Sequence, residues 1–189
     1  DLSNGTNEFG NFFIDCSGFK RVLVNKLGVK WISYKKHLLM NSALPFSLPY
    51  EAPVWPEPFS RSYTMSSGWV WEIPTQDRRG NGYVYSSQHC TDDQAVKEVS
   101  DLLGREVEPA RSFRFDPGHL KKFWVNNCVA VGLAAAFVEP IEATSIGSTI
   151  QQAKYLMHAL STYDLNSKKI QEDYNRKMNT MMENILLYF

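Results

Sequence analysis

The period of hydrophobic positions changes several times along this chain, and each change predicts an element. Residues 10–17 (GNFFIDCS) form a short apolar run ending in a polar-glycine turn at Ser17-Gly18, the pattern of a strand. Val22, Leu23 and Leu27 predict a short helix stopped near Gly28. Residues 45–58 hold five of the nine prolines, a density that excludes helix or central strand and predicts a long surface loop. Strands resume at 62–65, 68–73 and 83–87, with Gly80-Asn81-Gly82 expected to supply the positive-φ residues of a hairpin turn. Thr91-x-x-Gln94 has capping-box spacing and opens a helix whose apolar face is Ala95, Val99 and Leu102-Leu103, closed by Gly104.

Further along, 112–115 alternates polar and aromatic residues as a strand does, turned at Pro117-Gly118. Strands follow at 123–125 and 128–131; the second is apolar on both faces and belongs in the middle of a covered sheet. After the small-residue stretch 132–137, a helix is predicted from Thr144-Ser145, with Ile146, Ile150, Ala153, Met157 and Leu160 on one face. A second amphipathic helix starts near Ser167 and carries Ile170, Tyr174, Met178, Met181 and Ile185. Buried strands, hairpins and helices without an internal repeat make an α/β or α+β domain.

Composition narrows the function classes. With 189 residues, 43% hydrophobic and 13% aromatic, the chain has material for a real core, which excludes disorder. Twenty basic residues balance twenty acidic ones, and the basic clusters are only pairs such as Lys35-Lys36 and Arg78-Arg79. No electrostatic footprint for nucleic acid is present. The longest nearly apolar run, 128–138, is too short to span a bilayer, so a soluble protein with no membrane partner is expected. Cys16, Cys90 and Cys128 show no C-x-x-C spacing and leave one odd thiol, which points to reduced cysteines in a cytoplasmic setting and to no structural metal. The chain starts at Asp1 without methionine and stops at Leu186-Leu187-Tyr188-Phe189 inside an apparent helix, which reads as an internal piece of a longer protein.

Three segments could carry chemistry. In 127–150 a buried strand runs into small residues, then a loop holding Glu139 and Glu142 around Pro140, then a helix start near Thr144-Ser145. Small residues let a planar ligand approach the backbone, and a helix start offers N–H groups and a dipole to an anion. Acids before a helix also simply complement its dipole, and periodicity alone leaves both readings open. Trp69 and Trp71, two apart on a strand, face one side and present either an aromatic wall or core bulk. Phe13-Ile14-Asp15-Cys16-Ser17-Gly18-Phe19 is a strand entering a tight turn, which by itself need only connect elements.

Together these segments resemble the flavin-dependent tryptophan halogenase family. Trp69-Val70-Trp71-Glu72-Ile73-Pro74 matches its W-x-W-x-I-P signature. Residues 137–146 (FVEPIEATSI) are similar to its F-V/L-E-P-L-E-[SA]-T-[GS]-I segment, 15–19 to its D-[CA]-[ST]-G-F turn, and 82–87 to its G-Y-V-Y-S-S strand. The resemblance implies the central part of a flavin-monooxygenase-like fold, with a mixed or antiparallel sheet and C-terminal helices. It implies one halogenase domain over residues 1–189, without the N-terminal dinucleotide fingerprint and the catalytic lysine that follows it, and without the C-terminal substrate-capping part. The implied reaction uses FAD, reduced by a separate flavin reductase, with dioxygen and a halide co-substrate, to halogenate tryptophan or a related indole or aromatic compound. Glu142 takes the position of the family's active-site glutamate, Thr144 and Ser145 that of its halide site. Trp69, Trp71, Gly132, Ala134, Phe137 and Ile146 are implied to lie near the flavin. Ala143 stands where many members have serine, and Ser145 where many have glycine. A flavin-dependent aromatic hydroxylase is the nearest alternative, and a non-catalytic fragment or binding module is the alternative from another class.

Overall fold

The computed structural model describes residues 4–50, 55–109, 111–162 and 167–189, with Glu142 described through its backbone alone. Strands β1 (Phe13–Asp15), β2 (Trp31–Ser33), β3 (Ser42–Pro49), β4 (Arg61–Met65), β5 (Gly68–Pro74) and β6 (Arg78–Tyr85) precede helix α1 (Asp92–Leu103). Strands β7 (Phe113–Arg114), β8 (Gly118–Leu120), β9 (Trp124–Val125), β10 (Cys128–Ala130) and β11 (Ala136–Phe137) lead to helices α2 (Thr144–Thr162) and α3 (Lys168–Tyr188). The chain divides into two compact units, one of Asp1–Tyr34 with Pro117–Phe189 and one of Lys35–Asp116.

In the second unit an antiparallel sheet runs β4-β5-β6-β3-β7. Leu44, Phe46, Leu48, Val70, Tyr83 and Tyr85 line one face and form a core with Ala95 and Val99 of α1. The capping box is present: Gln94 N–H donates to Thr91 Oγ1 at 3.2 Å and Thr91 N–H to Gln94 Oε1 at 2.9 Å. Buried strand hydroxyls tie the helix to the sheet, Tyr83 donating to Glu98 at 2.8 Å and Tyr85 to Asp92 at 2.5 Å. Burial, with Asp92 as acceptor, pushes the Tyr85 hydroxyl up to about 12, so it stays a donor. Leu102, expected on the inner face of α1, is exposed; Ala95 and Val99 alone are fully inside.

Two further sequence expectations fail in this unit. Residues 42–49, five of them in the expected proline loop, form β3. Beside β6 it has a second neighbour, β7, only at Ser42 and Ala43, so Pro45 and Pro49 lie where the strand has one described partner. That is the edge-like setting in which a missing N–H is tolerated. The loop reading holds for 55–60, while 51–54 lie outside the described residues. Gly80-Asn81-Gly82 is likewise no turn but the middle of β6, paired with Ile73, Glu72 and Trp71. The hairpin reverses at 75–77, where Thr75 N–H donates to Arg78 O at 2.8 Å. Neither glycine has a positive φ, and Gly82 answers instead to crowding across the sheet.

The first unit holds two three-stranded sheets, β1-β10-β9 and β11-β8-β2. As expected, β10 is buried throughout and central, parallel to β1 and antiparallel to β9. Gly118, expected in a turn, begins β8 so close to β2 that a Cβ would lie 2.1 Å from Ile32 O. The run 22–28 is a 3-10 turn over Val24–Leu27, ended by left-handed Gly28. Helix α3 buries Tyr174, Met178 and Met182, one position on from the expected Met181. Its Asn175 side chain binds both the N–H and the C=O of Trp124, at 2.9 and 2.8 Å, as a sheet neighbour would.

Helix α2 starts where the sequence places it but faces the other way. Its buried positions are Ser148, Gln152, Leu156 and Ala159, while Ile146 is 69% and Met157 70% exposed, with Ile150 and Leu160 also exposed. Apart from Leu156 the inner face is small or polar, and it packs on the turn at Gly132–Ala134. Gln152 Oε1, fully buried, accepts the Gly132 N–H at 2.8 Å. A periodicity reading weighs apolarity alone and misses a helix whose buried face must meet backbone polar groups.

Candidate functional site

Asp15 closes β1 with its carboxylate turned inward. Oδ1 accepts the Ser17 hydroxyl at 2.5 Å and the Ser17 N–H at 3.0 Å; Oδ2 accepts the N–H groups of Leu23 and Val24 at 2.9 and 3.0 Å. Burial by itself would raise its pKa, but the Ser17 hydroxyl and these backbone donors outweigh it and hold the group below the ordinary carboxylate value. The D-C-S-G-F turn is therefore a clamp. Asp15 O accepts the Val131 N–H at 3.0 Å, and the Phe19 ring meets Phe137 edge-on at 5.1 Å. Two of the three candidate segments, the 13–19 turn and the 132–146 stretch, thus come together in the first unit.

From β10 the chain turns at Gly132, in the left-handed region with φ 68°, and makes the 3-10 turn Gly132–Ala134. Ala134, Ala135 and Ala136 are buried, so their small side chains serve packing, whereas Gly132 and Phe137 are half-buried and Ile146 is exposed. Pro140 opens a second 3-10 turn, Pro140–Glu142, with Glu139 at its start. Ala143 ends it at φ 50°, its N–H donating to Pro140 O at 2.9 Å, and α2 begins at the next residue. Left-handed backbone at a residue with a Cβ costs roughly 1–2 kcal/mol, so local strain sits between Glu142 and Thr144.

At the start of α2, Thr144 Oγ1 and Ser145 Oγ are both buried and have no hydrogen-bond partner among the described residues. Helix geometry leaves the first N–H groups without an intrahelical acceptor, and the first turn of α2 contains no acidic residue. Glu139 and Glu142 lie before it, in the preceding turn, and not on the helix itself. The Ile146 N–H already donates to Ala143 O at 3.3 Å, which leaves the two hydroxyls at the dipole's positive end as the donors suited to an anion. At Gly147 a Cβ would meet nothing within 4 Å, so the helix backbone is uncovered there.

Trp69 and Trp71 belong to the second unit. They share the face of β5 opposite the core-facing Val70 and Glu72, half-exposed, with ring centroids 6.1 Å apart and planes at 60°. They form an aromatic surface rather than core bulk. On the other face, buried Glu72 accepts from Arg61 at 3.1 Å and from Arg79 at 3.4 Å, joining β4, β5 and β6. Sequence reasoning missed this carboxylate, and it missed Gln152. Each is a polar residue set in an inward register, which becomes visible only once the buried face is known.

Buried His119, its Nδ1 2.9 Å from Leu120 O and its ring stacked on Phe123, is pushed down by burial and kept in packing. All three cysteines are free, and among the described residues no His, Cys, Asp and Glu cluster could hold a metal ion.

This fold is that of flavin-dependent halogenases. BrvH, a flavin-dependent halogenase from Brevundimonas sp. BAL3, superposes with a TM-score of 0.90 at 34% identity, covering 97% of this chain and 38% of that one. A tryptophan 6-halogenase from Streptomyces toxytricini gives 0.89 at 31% identity, covering 97% and 37%. In sequence, the tryptophan 7-halogenase RebH of Lentzea aerocolonigenes is 36% identical over 177 residues, 92% of this chain and 33% of that protein. The tryptophan halogenase family profile matches residues 1–188, and the chain belongs to that family. It spans about a third of the length of these relatives.

Proposed function

We propose that residues 1–189 form the central part of a single flavin-dependent halogenase domain that uses reduced FAD, dioxygen and a halide to halogenate tryptophan or a related indole or aromatic compound. One observation carries the reading: the two buried, unpartnered hydroxyls of Thr144 and Ser145 at the N-terminus of α2, directly after the E-P-I-E turn. That donor set fits a halide. The residues toward FAD would be Trp69, Trp71, Gly132, Phe137 and Ile146, with Ala134 acting through its backbone. Bound reduced FAD would supply the two electrons that bring dioxygen to the peroxide level, and oxygen at that level is the oxidant for the halide. Within the chain, Thr144 and Ser145 hold the halide, the tryptophans keep the organic substrate off the flavin, and Glu142 orients the electrophile or takes the proton from the attacked ring. The tryptophan surface and the anion-ready helix start favour halogenation over hydroxylation. A separate flavin reductase supplying FADH2 and a cytoplasmic location complete the proposal; among the described residues no helix is long and apolar enough to cross a membrane.

The test is Glu142→Gln in the full-length protein. Halogenated product should fall by roughly 10²–10⁴-fold, the range for a positioned general base, while flavin oxidation by dioxygen continues. Glu139→Gln is the control, since an acid that only complements the dipole is worth about 0.3–1 kcal/mol of stability. Normal chloride-dependent product from the Glu142 variant would overturn the assignment, and loss confined to Glu139 would move it to that carboxylate.

A further inference from the structure

Strand register places Ser62, Trp71, Gly82 and Pro45 in one row across β4, β5, β6 and β3, and Thr64, Trp69, Val84 and Ala43 in the next. Across this face the indoles have unequal floors. Trp69 stands opposite a fully buried Val84, whereas Trp71 stands opposite a glycine. Gly82 lies inside a regular strand and outside the positive-φ glycines, so conformation does not require it. Space does: a Cβ at Gly82 would lie 2.1 Å from Trp71 Cη2 and 2.2 Å from Cζ2, and the three nearest atoms all belong to that indole. Gly68 differs, because its Cβ would meet backbone, 1.9 Å from Val84 O, and it serves the sheet itself. Gly80, on the same face as Gly82, has open room, its nearest neighbour being Ile73 O at 3.7 Å.

We infer that Gly82 is a positioning residue for the tryptophan surface: its missing side chain lets the Trp71 ring lie across β6, and this sets the angle and spacing between Trp71 and Trp69. A methyl group there would lift the indole, since no real Cβ contact is as short as the one it would make. The geometric part stands on the sheet alone. Its consequence for catalysis rests on the proposed role of the tryptophans as a wall between flavin and substrate.

The experiment introduces Gly82→Ala into the full-length protein, once in the native background and once with Trp71→Phe, whose ring lacks Cη2 and Cζ2. Three quantities are read: the melting transition, the far-UV circular-dichroism exciton couplet of the Trp69–Trp71 pair, and halogenated product formed per reduced flavin consumed. Gly82→Ala alone should abolish or invert the couplet and lower the coupling ratio by roughly tenfold, within the up to 10²-fold that a misplacement of about 1 Å costs. With Trp71→Phe already present, the same change should alter neither melting nor coupling further. Should Gly82→Ala fail to fold while the double variant folds, the clash with the indole is confirmed as the cause. A couplet lost with coupling unchanged supports positioning and removes the wall role instead. A native couplet in Gly82→Ala, an equal loss in both backgrounds, or two unfolded variants would overturn the inference.

Discussion

The Asp15 carboxylate accepts the N–H groups of Ser17, Leu23 and Val24 and the Ser17 hydroxyl while 1% exposed. Its pKa lies below the unfolded value of about 3.9, so the stability it contributes is fully present above that pH and is lost as pH falls through the native value. Asp15→Asn puts an NH2 where Leu23 and Val24 need an acceptor. It should cost on the order of 3 kcal/mol, since a hydrogen bond to a charged group is worth about 1.5–3. Denaturant unfolding across pH should show this loss near neutrality and shrinking below about pH 4, where the unfolded carboxylate takes up its proton while the native one is still charged. A variant as stable as the parent at neutral pH would show that the clamp is not structural. From sequence, this aspartate and Glu142 looked alike, each an acid beside a turn. The structure separates them, because four donors converge on one, and the other leads into a helix start with unpartnered hydroxyls.

Helix α2 sets two residues in opposite roles to those their chemistry suggests. Gln152 is fully buried and holds the Gly132 N–H, while Met157 faces outward at 70% exposure. Gln152→Leu keeps volume but orphans a backbone donor, and should cost about 1–3 kcal/mol. Met157→Gln should stay within about 0.5 kcal/mol, as surface changes do. Thermal or chemical unfolding of the two variants decides it; the reverse order would mean that the apolar stripe of Ile146, Ile150 and Met157 is the packed face. The start of α2 was legible because strand, small residues, proline turn and helix start follow one another locally. Its rotation was not, because a helix packs against whatever the fold brings, here a glycine turn from a preceding strand. Strand β6 repeats the lesson. Gly80-Asn81-Gly82 has turn composition, yet Trp71 from the neighbouring strand claims the space that a side chain at Gly82 would fill.

At the scale of the whole molecule, the chain contains no G-x-G-x-x-G string, and flavin pyrophosphate is held by such a glycine turn at a helix N-terminus. Residues 1–189 prepared alone should therefore bind FAD weakly, with no stoichiometric yellow colour after gel filtration. A titration giving tight one-to-one binding would contradict this. What the sequence determined by itself is the family, through contiguous motifs whose order and spacing survive without coordinates. It also determined the α1 capping box, the buried central strand β10 and the start of α2, all set by local hydrogen bonding and unbroken apolar runs. Tertiary structure alone decided which face of α2 is inside, that a proline-bearing segment pairs as β3, that Asp15 is a clamp and that Gly82 makes room for an indole. Each of those outcomes depends on a partner distant in the chain. A one-dimensional pattern records what a residue prefers, and only the packed structure supplies the neighbour that overrules the preference.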